Sequence, residues 1–307
     1  MRIAYNFPFH SCPPVAEFVS GDALAELGVL LEANGFSSAA LTDHPAPSEA
    51  WRQSGGHDTL DPFVGLAFIA GATKELRLLT YLAVLPYRNP FLIAKTVATL
   101  DALSGGRVDF GLGTGYLKSE YFALGVDFEE RNTLFDESIA VMKLAWTGEP
   151  VTYQGIHFSA RNVTAMPTPK QLPHPPLWLG GNSKLTRRRV AEHATGWLPM
   201  LNPPETATAR RSAVLETVDD FAVMLADLRA HAERVGRTEP VEVMFCPPDL
   251  PLEPDAGDIR AHVDLVKQLA DLGVGWIAVN GQGSSLAEAK AFITRYGDAV
   301  VADVSVL

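Results

Sequence analysis

Three short stretches of this sequence combine residues that can do chemistry with the glycines and prolines that end a strand. Residues 41–47 read Leu-Thr-Asp-His-Pro-Ala-Pro and follow a short apolar run, so Asp43 and His44 stand side by side where a buried strand stops. An imidazole there titrates in a useful range. It could act as a general base, donate to a reduced cofactor, or simply hydrogen-bond Asp43. Residues 111–116, Gly-Leu-Gly-Thr-Gly-Tyr, come near the dinucleotide fingerprint, but the third glycine falls one position early and no acidic strand end follows at the required distance. These glycines either clear space for a flat ring or phosphate, with Thr114 offering a hydroxyl, or make a close turn. In Trp-Leu-Gly-Gly-Asn-Ser (178–183), Gly180 and Gly181 let backbone approach a ligand, and the first amides of the next helix suit a phosphate. Asn182 or Ser183 would cap that helix with or without one.

Other catalytic signatures are missing. The sequence has no Gly-x-Ser-x-Gly elbow, no His-Glu-x-x-His, no phosphate-binding Gly-x-x-x-x-Gly-Lys-Ser/Thr loop and no Cys/His ligand spacing, so no metal site is expected. A glycosidase needs two rim carboxylates about 5 to 10 Å apart, and Asp43 is the one strong rim acid.

The elements that must position these residues alternate. Eight short apolar runs, near 2–6, 37–41, 76–85, 107–113, 176–181, 196–200, 241–246 and 275–281, each precede a helical pattern. The runs are apolar on both faces, as parallel strands covered by helices must be. Eight such units predict a (β/α)8 TIM barrel in a single domain over 1–307, with an open doubly wound sheet as the structural alternative. The C-terminal strand ends would then share one mouth, which is why Asn6, Asp43, His44, Thr114 and Gly180 belong to one argument. Residues 150–175 break the rhythm; they predict a small hairpin and an extended proline-rich arm inserted between units four and five, at the catalytic rim.

Composition narrows the class. With 307 residues and a net charge of −11, the chain offers no basic face for nucleic acid or an anionic membrane. Arg187, Arg188 and Arg189 form the one dense basic cluster and predict a solvated helix face, touching phosphate at most at its N-terminal end. Cys12 and Cys246 lack disulfide or metal spacing, and no segment resembles a signal peptide or membrane span, so a reducing cytoplasm is the expected location.

Taken together, Thr-Asp-His at 42–44, the block from Asp61 to Tyr116, Glu-Glu-Arg-Asn-Thr-Leu-Phe-Asp-Glu-Ser-Ile, Leu-Ala-Trp-Thr-Gly-Glu-Pro at 144–150, Tyr-Gln-Gly-Ile-His-Phe-Ser, Pro-Pro-Leu-Trp-Leu-Gly-Gly-Asn-Ser and Thr-Gly-Trp resemble the luciferase-like monooxygenase superfamily, particularly its deazaflavin-dependent branch. The resemblance runs in order over residues 1 to 200. It implies a (β/α)8 barrel, a homodimer, and a deazaflavin (coenzyme F-420) or, alternatively, FMN held across the mouth with a small-molecule substrate. By the same resemblance Asp43 and His44 lie beside the reactive ring, a non-proline cis peptide at Tyr81-Leu82 backs it, Thr114 and Gly115 line the cofactor, and the amides of Gly180, Gly181, Asn182 and Ser183 take its phosphate. His44 would manage the proton, fixed by Asp43, while Pro45 turns the chain away. Tyr116 stands where sugar-phosphate dehydrogenases of this branch place a glutamate, so their proton donor is missing. An FMN monooxygenase and a flavin-binding barrel without turnover are the competing readings.

Overall fold

The computed structural model describes residues 1–10 and 17–304, so Cys12 lies outside the described residues. Eight parallel strands form the barrel: β1 (Arg2–Asn6), β2 (Ser38–Leu41), β3 (Arg77–Thr80) with its short continuation β4 (Ala83–Val84), β5 (Val108–Gly113), β8 (Leu177–Gly180), β9 (Gly196–Leu198), β10 (Glu242–Phe245) and β11 (Trp276–Asn280), with β6 (Val151–Gln154) and β7 (Ser159–Val163) forming a separate antiparallel hairpin. β1 pairs with β2 and β11, and the β3–β5 pairing closes the ring. The barrel is therefore closed, and the open doubly wound alternative falls.

The surrounding helices are α1 (Gly21–Ala33), α2 (Glu49–Gln53), α3 (Pro62–Ala72), α4 (Pro90–Ser104), α5 (Lys118–Ala123), α6 (Arg131–Trp146), α7 (Lys184–His193), α8 (Pro204–Arg210), α9 (Val218–Arg234), α10 (Ala256–Asp271) and α11 (Leu286–Tyr296). Among the described residues no helix is long and apolar enough to cross a membrane. Sequence punctuation explains their starts. Asp61 accepts the amides of Phe63 and Val64 ahead of Pro62, and Asn89 accepts that of Phe91 ahead of Pro90. Three short helices, α2, α5 and α8, stand apart from the eight helical patterns of the sequence, because five to seven residues are too few for a periodic signal.

Strand pleating sorts side chains into two cores. Ile3, Tyr5, Leu41, Leu78, Phe110, Leu112, Leu177 and Leu179 face the helices, while Ala4, Ala40, Leu79, Trp178, Leu198, Met244, Trp276 and Ala278 fill the bore. Beneath them, at the N-terminal ends of the strands, Arg2 pairs with Glu242 at 2.7 Å and Arg77 with Asp109 at 2.6 Å.

Two expectations are corrected. The 150–175 insert does not lie at the catalytic rim. Its hairpin packs on the outside of α6, where Glu137 accepts the amides of His157 and Phe158 at 2.9 and 3.0 Å. Its arm then passes beneath the barrel, where Gln171 reaches the carbonyl of Val108 at 2.7 Å and the carboxylate of Asp101 takes the amides of Lys170 and Gln171. The short strands and α6 leave the chain at the bottom of the barrel, and the arm only has to re-enter β8 there. Second, the arginine cluster is not a solvated face: Arg187 and Arg189 are buried and paired with Asp227 and Asp136. Their carboxylate partners are 40 and 53 residues away, so the pairing leaves no local sequence pattern.

One buried base sets a pH limit on the fold. His262 on α10 lies 2.9 Å from the Tyr296 hydroxyl, and burial lowers its pKa from 6.5 to about 4. The unfolded chain therefore binds the extra proton between these values, so this contribution is intact above pH 6.5 and is lost as pH falls towards 4. Urea unfolding across that window should show the wild type losing roughly 3 kcal/mol more than His262→Gln; parallel pH profiles would refute the assignment.

Candidate active site

Strand β2 delivers Asp43 and His44 to the C-terminal mouth, and there the two side chains diverge. Asp43 is 3% exposed. Its carboxylate accepts the Val84 amide at 2.9 Å, and both terminal nitrogens of Arg88 donate to it, Nη2 at 2.9 Å. Arg88 also reaches Asp61 at 3.4 Å. The expectation that Asp43 fixes His44 is thereby corrected: its two oxygens are taken by the chain that follows β3.

The carboxylate beside His44 is instead Glu120 on α5, whose Oε2 lies 3.3 Å from His44 Nδ1. Glu120 is 1% exposed. The Tyr87 hydroxyl donates to the same oxygen at 2.9 Å and the Ala46 amide to the other at 3.2 Å. Burial first, and the Glu120 charge next, hold the Tyr87 phenol well above its usual range, so it stays a donor. With Nδ1–H donating to Glu120, the second ring nitrogen of His44 is left for the proton work expected of it.

Aromatic rings enclose His44. Trp51 lies 4.6 Å from it between ring centroids, His57 5.2 Å and Tyr116 6.2 Å. Gly56 is a glycine because any Cβ there would come within 2.2 Å of the Trp51 ring. The segment before α3 thus brings two rings to the site, Trp51 from α2 and His57 from the loop after it.

The floor of the mouth is Leu82, which follows a cis, non-proline peptide bond with Tyr81. A Cβ on Gly180 would fall 2.1 Å from Leu82 Cδ1, and Cβ atoms on Gly111 and Gly113 would lie 3.2 and 3.3 Å from its methyl groups. Gly180 and Gly113 therefore make room for the Leu82 side chain, while Gly111 chiefly clears the Thr80 carbonyl oxygen, which its Cβ would meet at 2.0 Å. Together they leave an apolar surface of the kind a planar ring packs against. Gly115 has φ +67°, and a side chain there would meet Val84 and Tyr87. The carbonyl of Thr114, beside it, accepts the Tyr121 hydroxyl.

The expected phosphate cradle is smaller than its sequence suggested. The amide of Gly181 donates to Leu198 O, that of Asn182 to Ser212 Oγ, and the fully buried Asn182 side chain bonds Met200 and Ala213. Asn182 is a clamp between the ends of β8 and β9. Buried Arg187 holds its carbonyl at 2.7 Å from behind. Ser183 caps α7 by accepting the Thr186 amide at 3.0 Å. The positive end of α7 is the part of that cradle left for an anion.

Across the mouth, Asn6 donates to Asn280 at 3.1 Å and Asn280 to Asp249 at 2.9 Å. Burial pushes the neighbouring Cys246 thiol up to about 12, which excludes a thiolate nucleophile at neutral pH.

Residues 1–249 match the family model for luciferase-like monooxygenases, and the chain belongs to that family. It is an oxidoreductase of the luciferase-like class. It is 28% identical to the F420-dependent glucose-6-phosphate dehydrogenase of Beutenbergia cavernae, over 93% of this chain and 94% of the relative. Among solved structures, it superposes on the monooxygenase RslO1 of Streptomyces bottropensis with a TM-score of 0.79 and 19% identity, covering 99% of both chains. The coenzyme F420 dependent tetrahydromethanopterin reductase of Methanopyrus kandleri gives a TM-score of 0.72 at 18% identity, covering 98% of both.

Sequence reasoning missed Glu120, Tyr87 and Arg88. Glu120 stands four residues after Tyr116 in a six-residue helix, where an acid ordinarily faces solvent. Because Arg88 neutralises a buried carboxylate, Arg88→Met should cost about 3 to 5 kcal/mol of unfolding free energy in urea titrations. A loss under 1 kcal/mol would show that Asp43 does not depend on the pair.

Proposed function

We propose that this protein is a deazaflavin-dependent oxidoreductase that moves a hydride between coenzyme F-420 and a small organic substrate at the barrel mouth. The observation that carries this reading is the buried Tyr87–Glu120–His44 chain, which ends in an imidazole at the rim of an apolar floor. The 28% identity to an F420-dependent dehydrogenase over nearly the whole chain supports the cofactor class. When bound, the deazaflavin supplies the hydride chemistry. Leu82 would back its ring, Gly115 and Thr114 would flank it, and the N-terminal end of α7 would take its phosphate. His44 gives or accepts the accompanying proton while Glu120 keeps the ring in one orientation, and the surrounding aromatic side chains exclude water.

Fluorescence titration of the purified protein with deazaflavin coenzyme and with FMN tests the reading. Tight binding of the deazaflavin alone is expected; preference for FMN would move the chemistry to oxygen-dependent monooxygenation. His44→Ala should lower kcat about 100-fold and Glu120→Gln about 10-fold, both with deazaflavin affinity retained, and added imidazole should partly restore the former. Unchanged turnover in His44→Ala would refute its proton role.

The same reading includes a homodimer. Helix α3 is apolar on every side, and Val64, Ala67, Phe68 and Gly71 form an outward stripe beside exposed Leu92 on α4. An apolar stripe of this kind suits an isologous contact with a second copy. Phe68→Glu should convert a dimer to a monomer in light scattering; a wild-type monomer would refute the pairing.

A further inference from the structure

The reading above leaves the substrate open, and the charges around His44 narrow it. Two guanidinium groups flank the aromatic enclosure, and each is already matched by two carboxylates. Arg88 is held by Asp43 and Asp61. Arg52, on α2, is held by Glu49 at 2.9 Å and Asp58 at 2.8 Å. Four carboxylates against two guanidiniums give this quarter of the rim a negative balance before Glu120 is counted. The rim's other grouped cations, Lys118, Arg131 and Arg211, gather about the Phe128 ring, and Glu129 pairs with the first two. A phosphate placed beside His44 would therefore lie against Glu120, with the Arg88 and Arg52 guanidiniums already held by carboxylates of their own, which costs binding rather than supplying it.

The surfaces available there favour a different ligand. Trp51, His57 and Tyr116 present ring faces and edges to His44, and Gly56 keeps the indole seated. Across the mouth the amides of Asn6 and Asn280 face the site, Asn280 in turn donating to the Asp249 carboxylate, so no cation stands among these groups. Flat rings pack on aromatic walls through burial and quadrupole contacts, and an amide orients a neutral oxygen.

Resting on the proposed hydride transfer, we infer that the substrate is a neutral, ring-bearing carbonyl compound, such as a cyclic ketone or enone, packed against Trp51 and Tyr116, and not a phosphorylated sugar. In the reducing direction the substrate gains a hydride from the reduced deazaflavin and a proton from the His44 imidazolium. A C=O or conjugated C=C π bond breaks, new bonds to hydrogen form, the deazaflavin is oxidised by two electrons, and His44 keeps its Nδ1–H to Glu120. Solvent returns the proton.

Binding can be read without turnover, because Trp146, Trp178, Trp197 and Trp276 are all buried and Trp51 alone is partly exposed. Titrating the deazaflavin-loaded protein with 2-cyclohexenone should give a saturable change in tryptophan emission that is absent from Trp51→Phe and is not produced by glucose 6-phosphate. In steady-state assays with reduced deazaflavin, cyclohexenone should be turned over, Trp51→Ala should raise its KM at least 10-fold with a smaller change in kcat, and Trp51→Phe should recover most of that loss. Turnover or tight binding of glucose 6-phosphate, or an unchanged KM in Trp51→Ala, would overturn the inference while leaving hydride transfer standing. Failure of the wild type to bind deazaflavin would overturn the hydride reading itself, and the inference with it.

Discussion

The mouth of this barrel is organised around one buried carboxylate whose partners are the backbone and an arginine of the neighbouring segment. Asp43 holds the Val84 amide and the Arg88 guanidinium together, and so ties the end of β2 to the chain that leaves β3. A carboxylate with 3% exposure is tolerable only when paired and hydrogen-bonded, so the tie is enforced by the cost of breaking it. Its consequences spread along both chains. On one side it fixes the backbone from which His44 leaves. On the other it sets the register of the segment carrying Leu82 and Tyr87, the floor of the mouth and a support of Glu120.

That constraint explains the division of labour between two adjacent residues. An Asp-His pair in sequence invites the reading that the acid orients the base. Here the acid is consumed by packing, and the base is oriented by Glu120, 76 residues further on. Glu120 is itself specified by three donors from two segments: His44 and the Ala46 amide after β2, and Tyr87 after β3. Local and distant carboxylates thus serve different masters, and neither side chain is left buried without a partner.

How much of this was legible follows from what makes a pattern. The strands were readable because both faces of each are buried, giving continuous apolar runs; Gly105, at φ +78°, marks the end of α4 as its sequence suggests. The non-proline cis bond stands at Tyr81-Leu82, where resemblance alone had put it. Position in the family thus carried information that composition could not. Contacts between distant residues left no such trace. Nothing near Glu120 indicates that His44 will approach it, and nothing near Arg187 and Arg189 indicates that Asp227 and Asp136 will bury them. The hairpin at 151–163 was legible as a hairpin, whereas its placement depended on Glu137, halfway along α6. Glycine was the most ambiguous residue: Gly111, Gly113 and Gly180 could be read as space for a ligand or as close turns, and the space at Gly113 and Gly180 belongs to Leu82 and that at Gly111 chiefly to the Thr80 carbonyl.

The bore is graded from bottom to top in a way that bears on chemistry. Ion pairs close its N-terminal end, tryptophans and aliphatic side chains fill its middle, and neutral amides, Leu82 and Cys246 form its upper layer. Charge at the bottom stabilises the closed ring without placing a field near the mouth, since Trp178, Trp276 and Met244 intervene. The upper layer then presents an apolar surface whose polar groups are held in hydrogen bonds, Asn6 to Asn280 and Asn280 to Asp249. An apolar floor beside one positioned imidazole is the arrangement that the proposed hydride transfer calls for. In this barrel the floor is set by the chain after β3 and the imidazole at its rim by the end of β2, so the pair that ties those two segments together also keeps floor and imidazole in register.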